Sequence, residues 1–174
     1  MKIETNRLLL RPIEKQDAQA VFEYRSDAIT NKYQGSFHNE LKETEEFIEK
    51  CADVFNQADS WFQMVIILKN EIIGDMGIHF IDDEGKQVEL GITLNKKFHN
   101  QGFANEAMTG IIDHLFNKLD KHRIIGSLDP ANTSSIKLLK KLNFRQEAHF
   151  KESLFLNGIW VDDIVFALLK KEWK

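Results

Sequence analysis

The chain has 174 residues, 43% of them hydrophobic and only two of them proline, with 23 Lys and Arg against 27 Asp and Glu for a formal charge of −4. That length can bury a core without disulfide or metal staples, and a single domain over residues 1–174 is the natural expectation. The acidic balance argues against direct nucleic-acid binding, which needs a dense basic patch.

Taken in chain order, Leu8-Leu9-Leu10-Arg11 reads as a first strand ended by Pro12. A helix is expected from about Lys15, with Ala18, Val21, Phe22 and Arg25 on related faces. A less regular stretch through Asn31 to Ser36 leads to a second helix with an apolar face of Phe47, Ile48, Cys51, Val54 and Phe55. Trp61 to Leu68 and Ile72 to Ile81 are the next strands, joined through Lys69-Asn70-Glu71. Asp82-Asp83-Glu84-Gly85 turns the chain into a third strand, Val88 to Leu94, completing a meander. Met108, Ile111, Ile112, Leu115, Phe116 and Leu119 recur at helical spacing after it. Arg123 to Leu128 is a short strand, a helix follows Asn132, and Asn157-Gly158 between two apolar runs marks a hairpin.

Single Cys51 cannot form an internal bridge and reads as a small buried residue in a helix. The six histidines are scattered without ligand spacing, so no metal site is expected. No charged-apolar-small leader or long apolar run is present, which places the expected compartment in the cytoplasm, away from membranes.

Residues His99-Asn100-Gln101-Gly102-Phe103-Ala104-Asn105 lie between the Val88–Leu94 strand and an amphipathic helix. The first amides of a helix lack intrahelical partners and carry partial positive charge, so a glycine turn here suits phosphate. Many strand-to-helix crossovers also carry a glycine, and the turn alone does not decide. A nucleotide-phosphate enzyme is disfavoured, because no Gly-Lys-Ser/Thr follows Gly102.

A second segment, Leu128-Asp129-Pro130-Ala131-Asn132-Thr133-Ser134-Ser135 running into Ile136 to Phe144, changes the weight of that turn. With Thr5-Asn6-Arg7-Leu8-Leu9-Leu10-Arg11-Pro12 it resembles the GNAT superfamily of acetyl-CoA-dependent N-acetyltransferases. Within it, the chain is most similar to the ribosomal-protein N-terminal acetyltransferase (RimJ/RimL-like) branch. The resemblance spans essentially the whole chain and implies an α+β fold, a mixed central sheet whose two central parallel strands splay apart to take acetyl-CoA. It also allows a homodimer.

On that resemblance, amides among Ile92, Thr93 and Leu94 would pair with the donor's pantetheine and stabilise an oxyanion. The pyrophosphate would lie on the amides of Gln101, Gly102, Phe103, Ala104 and Asn105. Gly102 and Ala104 match the family turn, whereas His99 stands where Arg or Gln is usual. Asn132 reads first as a helix N-cap, which is compatible with a pantetheine contact. Ser135 precedes Leu138, Leu139 and Leu142 by three, four and seven positions and shares their face. By resemblance it protonates the leaving thiolate; bonding back to its own helix is the alternative. Asn143 replaces the usual glycine at the end of that helix, a tolerable change at a left-handed C-cap.

Glu89 is the candidate base, on the strand face it shares with Gly91 and Thr93. A cross-strand ion pair is the competing reading. Asp162 fits either a cationic acceptor or a brace for the hairpin. The resemblance implies direct attack of an amine on acetyl-CoA in a ternary complex, with a protein N-terminus, ribosomal or other, as the first-choice acceptor. A small amine such as a polyamine, amino acid or aminoglycoside is the alternative within that chemistry, and a non-catalytic acyl-CoA-binding module the alternative outside it.

Overall fold

The computed structural model describes residues 1–35, 37–81, 84–156 and 158–174. Its elements are β1 (Ile3–Glu4), β2 (Leu8–Pro12), α1 (Ala18–Arg25), α2 (Leu41–Lys50), β3 (Ser60–Leu68), β4 (Glu71–Phe80), β5 (Gln87–Leu94), α3 (Phe103–Asn117), β6 (Arg123–Leu128), α4 (Thr133–Lys141), β7 (Arg145–Leu156) and β8 (Ile159–Leu169). The strands form an eight-stranded sheet in the order β1-β2-β3-β4-β5-β6-β8-β7. Every neighbouring pair is antiparallel except β5 with β6.

Local chemistry accounts for the turns. Lys69 and Asn70, between β3 and β4, both have positive φ, 47° and 71°. Two left-handed residues in a two-residue connection match the right-handed twist of paired strands. At the end of α4, Asn143 takes φ 65°. Its amide and that of Phe144 bond to the carbonyls of Lys140 and Leu139, which closes the helix as a Schellman turn with Asn in place of glycine.

One face of the sheet carries the core: Leu10, Met64, Met76, Ile78, Val88 and Leu90 pack against Met108, Ile111, Leu115 and Phe116 of α3 and Leu139 of α4. The other face receives α1 through Val21 and Tyr24 on Val65. Helix α2 joins α1 there, with the Arg25 guanidinium 4.4 Å above the Phe47 ring.

Two elements differ from the sequence expectation. Helix α2 stops at Lys50, because Cys51 is already extended at φ −70°, ψ 146°. Val54 is therefore 60% exposed, and Phe55 packs on the rings of Phe62 and Phe80 instead of continuing the helical face. Strand β7 begins at Arg145, well before the apolar run at the hairpin. It is an edge strand exposed along nearly its whole length, so backbone pairing to β8 holds it and no apolar alternation marks it. The expected turn residues Asp82, Asp83 and Asn157, with Ser36, lie outside the described residues. On either side of the hairpin turn, Leu156 pairs with Ile159, and Gly158 has φ 83°.

Candidate active site

Strands β5 and β6 share only three rungs: Gln87 with Arg123, Val88 with Ile124, and Glu89 with Ile125. Beyond them β5 stays with β4 as far as Leu94, and β6 stays with β8 as far as Leu128. The sheet therefore opens at a V whose apex is the Glu89–Ile125 rung.

Backbone direction decides which groups line that opening. Gln87 receives the amide of Ile81, and Asn95 donates to Ile73, so the odd-numbered residues of β5 turn their peptide groups toward β4. Alternation turns Val88, Leu90, Ile92 and Leu94 the other way, toward β6. Past the apex, Ile92 thus presents N–H and C=O to the opening with no strand opposite. Thr93 faces β4 with its backbone and buries its side chain beside Asp75, its partner across the strands. The Leu94 carbonyl is taken: His99 donates to it from Nε2 at 2.9 Å. His99 therefore ties the turn after β5 to the end of the open strand.

At the C-terminal end of β5 a single 3-10 turn, Lys96–Phe98, leads to Gly102, whose φ of 83° makes it the left-handed N-cap of α3. Among the described residues no side chain caps this helix. Its first bond runs from the Glu106 amide to the Gly102 carbonyl at 3.0 Å. The amides of Phe103, Ala104 and Asn105 consequently point out of the helix end without an acceptor among the described residues, beside the positive end of the macrodipole. Gln101 turns its side chain away, donating to the Lys97 carbonyl at 3.0 Å.

Arg7, paired with the Glu106 carboxylate, brings a guanidinium to this corner, a place no sequence argument assigned to it. Its Nε bonds Glu106 at 2.6 Å, an NH group reaches the Gln101 carbonyl at 3.3 Å, and the guanidinium lies 4.4 Å over the Phe103 ring. The neighbours that hold it are about a hundred positions away, so no local pattern marks it. On the opposite bank, α4 begins at Asn132, whose side chain accepts the Ser135 amide at 3.1 Å. The N-cap reading of Asn132 is thus realised. Ser135 is half-buried, and its hydroxyl has no hydrogen-bond partner among the described residues.

The face of the V on the α1 side carries Glu89, Gly91 and Thr93 from β5. A Cβ added at Gly91 would meet nothing within 4 Å, so the face is open there. Glu89 lies across from His79, carboxylate to Nδ1 at 3.5 Å. From the other bank, Ser127 donates to Asp163 at 2.7 Å.

At the Thr93 end of this same face, under α1, lies a buried polar cluster. Asp75, 1% exposed, accepts from the Tyr24 hydroxyl at 2.6 Å, from Arg25 at 2.6 and 3.0 Å and from Gln63 at 2.6 Å. Burial, with the adjacent Asp75 charge, holds the Tyr24 phenol well above its usual range. Burial also opposes the Arg25 charge, and Asp75 more than restores it. The cluster pins α1 to β4 and so fixes the roof of the open face. Asp162 resolves toward the brace: it accepts from His149, Lys151 and the Glu152 amide at 2.7, 2.8 and 3.0 Å. These bonds hold the irregularity of β7 between Phe150 and Leu154. Cys51 donates to the Phe47 carbonyl at 3.3 Å, and burial pushes its thiol up to about 11, which leaves no thiolate nucleophile at neutral pH.

The candidate site is thus a strand pair that opens into a V beside a glycine turn at a helix start. The acetyltransferase (GNAT) domain model matches residues 7–145. The chain is a GNAT acetyltransferase. Over 177 aligned positions it is 34% identical to the uncharacterized N-acetyltransferase YnaD of Bacillus subtilis (strain 168), covering 99% of both chains. The crystal structure of a GNAT-family acetyltransferase from Bacillus anthracis superposes with a TM-score of 0.89 at 30% identity, over 99% of this chain and all of the other. The [ribosomal protein uS5]-alanine N-acetyltransferase of Escherichia coli (strain K12) is 32% identical over 84 residues, 48% of this chain and 43% of that one. As in other GNAT acetyltransferases, the acyl donor is acetyl-CoA and the reaction is N-acetylation. Among the described residues no helix is long and apolar enough to cross a membrane.

Proposed function

We propose that this GNAT acetyltransferase acetylates the N-terminal amine of a protein or peptide, by direct attack of the neutral amine on acetyl-CoA. The observation that carries the reading is the β5–β6 opening, with a free strand edge at Ile92 in its wall and Glu89 at its apex. The Ile92 peptide group pairs with the donor's pantetheine amides as a neighbouring strand would, and its N–H supports the oxyanion of the tetrahedral intermediate. The amides of Phe103 to Asn105 hold the pyrophosphate, with Gly102 allowing close approach and the Glu106-paired Arg7 guanidinium flanking the turn. Asn132 and Ser135 close the α4 bank.

The chemistry needs an amine with a free lone pair. An α-amine, with a reference pKa near 8, is about one-tenth neutral at pH 7. As its nitrogen attacks the thioester carbon, Glu89 accepts the amine proton, the C–S bond breaks, and Ser135 gives its proton to the departing thiolate while taking one from solvent, so that the proton Glu89 finally releases to solvent balances the one Ser135 draws from it. Support for a peptide acceptor comes from the open face at Gly91, which leaves room for a chain to continue past its amine, and from the ribosomal-protein acetyltransferase among the relatives.

A polyamine is the second reading, favoured by Asp163. That carboxylate is 8% exposed, lies on the acceptor face and has Ser127 as its hydrogen-bond donor among the described residues, with no ion pair. A second ammonium would neutralise it. The test is product mass and thiol release with acetyl-CoA and three acceptors: a peptide with a free α-amine, the same peptide N-terminally blocked but containing Lys, and spermidine. Acetylation of the free-amine peptide alone is expected. Turnover of spermidine with none of the peptide would transfer the assignment to the second reading.

A further inference from the structure

Trp61, His79 and Glu89 stand in one row across β3, β4 and β5, each the cross-strand partner of the next. The Trp61 indole stacks on the His79 imidazole, with centroids 4.6 Å apart and planes 9° from parallel. This fixes the ring edge-on to Glu89, with Nδ1 3.5 Å from Oε2. Nδ1 is buried and has no hydrogen-bond partner among the described residues. A buried ring nitrogen left unbonded is uncommon and costs stability, so it calls for a reason. The Glu89 and His79 side chains are 25% and 22% exposed, so the row joins the apex of the V to solvent.

We propose that His79 is the proton outlet of Glu89, a residue that acts on the reaction through the base and does not itself touch substrate. This rests on Glu89 being the base. In the neutral tautomer with its proton on Nε2, Nδ1 offers a lone pair toward the carboxylate. After Glu89 takes the amine proton, a shift of a few tenths of an ångström closes the gap to a hydrogen bond, and the proton passes to Nδ1. The imidazolium then gives one proton to water. The amine proton has then reached solvent and Glu89 is a carboxylate again; His79, charged on receiving the proton and neutral after releasing it from Nε2, exchanges its ring proton from Nδ1 back to Nε2 through water before the next acceptor. Without the outlet, a protonated Glu89 must lose its proton directly to water through the one quarter of its side chain that is exposed.

The groups that face His79 are few. Glu89 faces it from β5, Trp61 and, one rung further, Gln63 from β3, and neither of the latter titrates. The next carboxylate along β4 is Asp75, already bonded to Tyr24, Arg25 and Gln63.

The experiment is steady-state kinetics of His79→Gln, His79→Ala and Trp61→Leu, with Glu89→Gln alone and combined with His79→Gln. Expected are a fall in kcat of tenfold or more for both His79 variants, with KM for acetyl-CoA within twofold of the parent. Imidazole added to His79→Ala restores part of kcat, and His79→Gln causes no further loss in the Glu89→Gln background. Trp61→Leu, at a position already 46% exposed and therefore tolerant of change, lowers kcat by a smaller factor because the ring is no longer held edge-on. Undiminished kcat in well-folded His79 variants, or losses that multiply in the double variant, would overturn the outlet while leaving Glu89 as base. Full activity of Glu89→Gln would instead overturn the base assignment and the outlet with it.

Discussion

Glu89 and Ile125 are the last residues that β5 and β6 hold opposite each other. Everything proposed for the site follows from that rung. On one side of it the sheet is continuous and rigid; on the other, β5 exposes the peptide group of Ile92 and the strand runs on to a helix start with free amides. The carboxylate at the rung is therefore positioned where an acyl group threaded along β5 would end.

Replacing that carboxylate by its amide tests its role. Glu89→Gln keeps the shape of the side chain and removes its basicity, so kcat should fall by about 10²–10⁴-fold, the usual range for a general base. The dissociation constant for acetyl-CoA should stay within twofold, as read by calorimetry. Equal turnover at pH 7 would assign Glu89 to a structural pair with His79.

Gly102→Trp tests the phosphate corner. The substitution puts a Cβ at φ 83° and a ring against the three free amides. Left-handed backbone costs an ordinary residue about 1–2 kcal/mol, a loss that a stable domain survives. The dissociation constant for acetyl-CoA should rise at least tenfold in a folded variant. Unchanged affinity would remove the pyrophosphate from this turn.

How much of this was legible beforehand depends on whether the signal is local. The glycine turn, the Asn132 cap and the left-handed Asn143 are set by residues within a few positions, and each stands where the sequence reading put it. The meander was legible from alternation and turn residues. Asp75 was not: it sits in an apolar strand, and its partners Tyr24 and Arg25 are some fifty positions away. The same distance hid Arg7. His79 and Glu89 were each visible as strand residues, but their meeting depends on the β4–β5 register. The opening itself has no sequence signature, since it consists of pairing that stops.

The Asp75 cluster makes a stability prediction. Asp75→Ala leaves the Arg25 guanidinium buried without its counter-charge, which should cost about 3–5 kcal/mol in urea unfolding. Tyr24→Phe removes one hydrogen bond to a charged acceptor and should cost about 1.5–3 kcal/mol. A loss below about 1 kcal/mol in Asp75→Ala would mean that α1 is held by its apolar contacts alone.

Acid titration addresses the loop before the glycine turn. Asp27 accepts from Lys96 Nζ and from the hydroxyl and amide of Thr30, all at 2.7 Å. The Lys96 bond first, then those of Thr30, lower its carboxyl from 3.8 to about 2. A depressed carboxyl stabilises the fold fully above its unfolded value, and that contribution disappears as pH falls through the folded one. The difference in Tm between the parent and Asp27→Asn should therefore be present at pH 7, shrink between about 4 and about 2, and vanish below. A difference that persists unchanged at the acid end would show that the ionised pair is not its source.

Amide hydrogen exchange with and without saturating coenzyme A tests the central placement most directly. The amides of Ile92 and of Phe103, Ala104 and Asn105 have no acceptor among the described residues and should exchange fast in the unliganded protein, then slow at least tenfold when the ligand is bound. Slowing confined to other segments, with these four unchanged, would contradict the account and move the donor out of the β5–β6 opening.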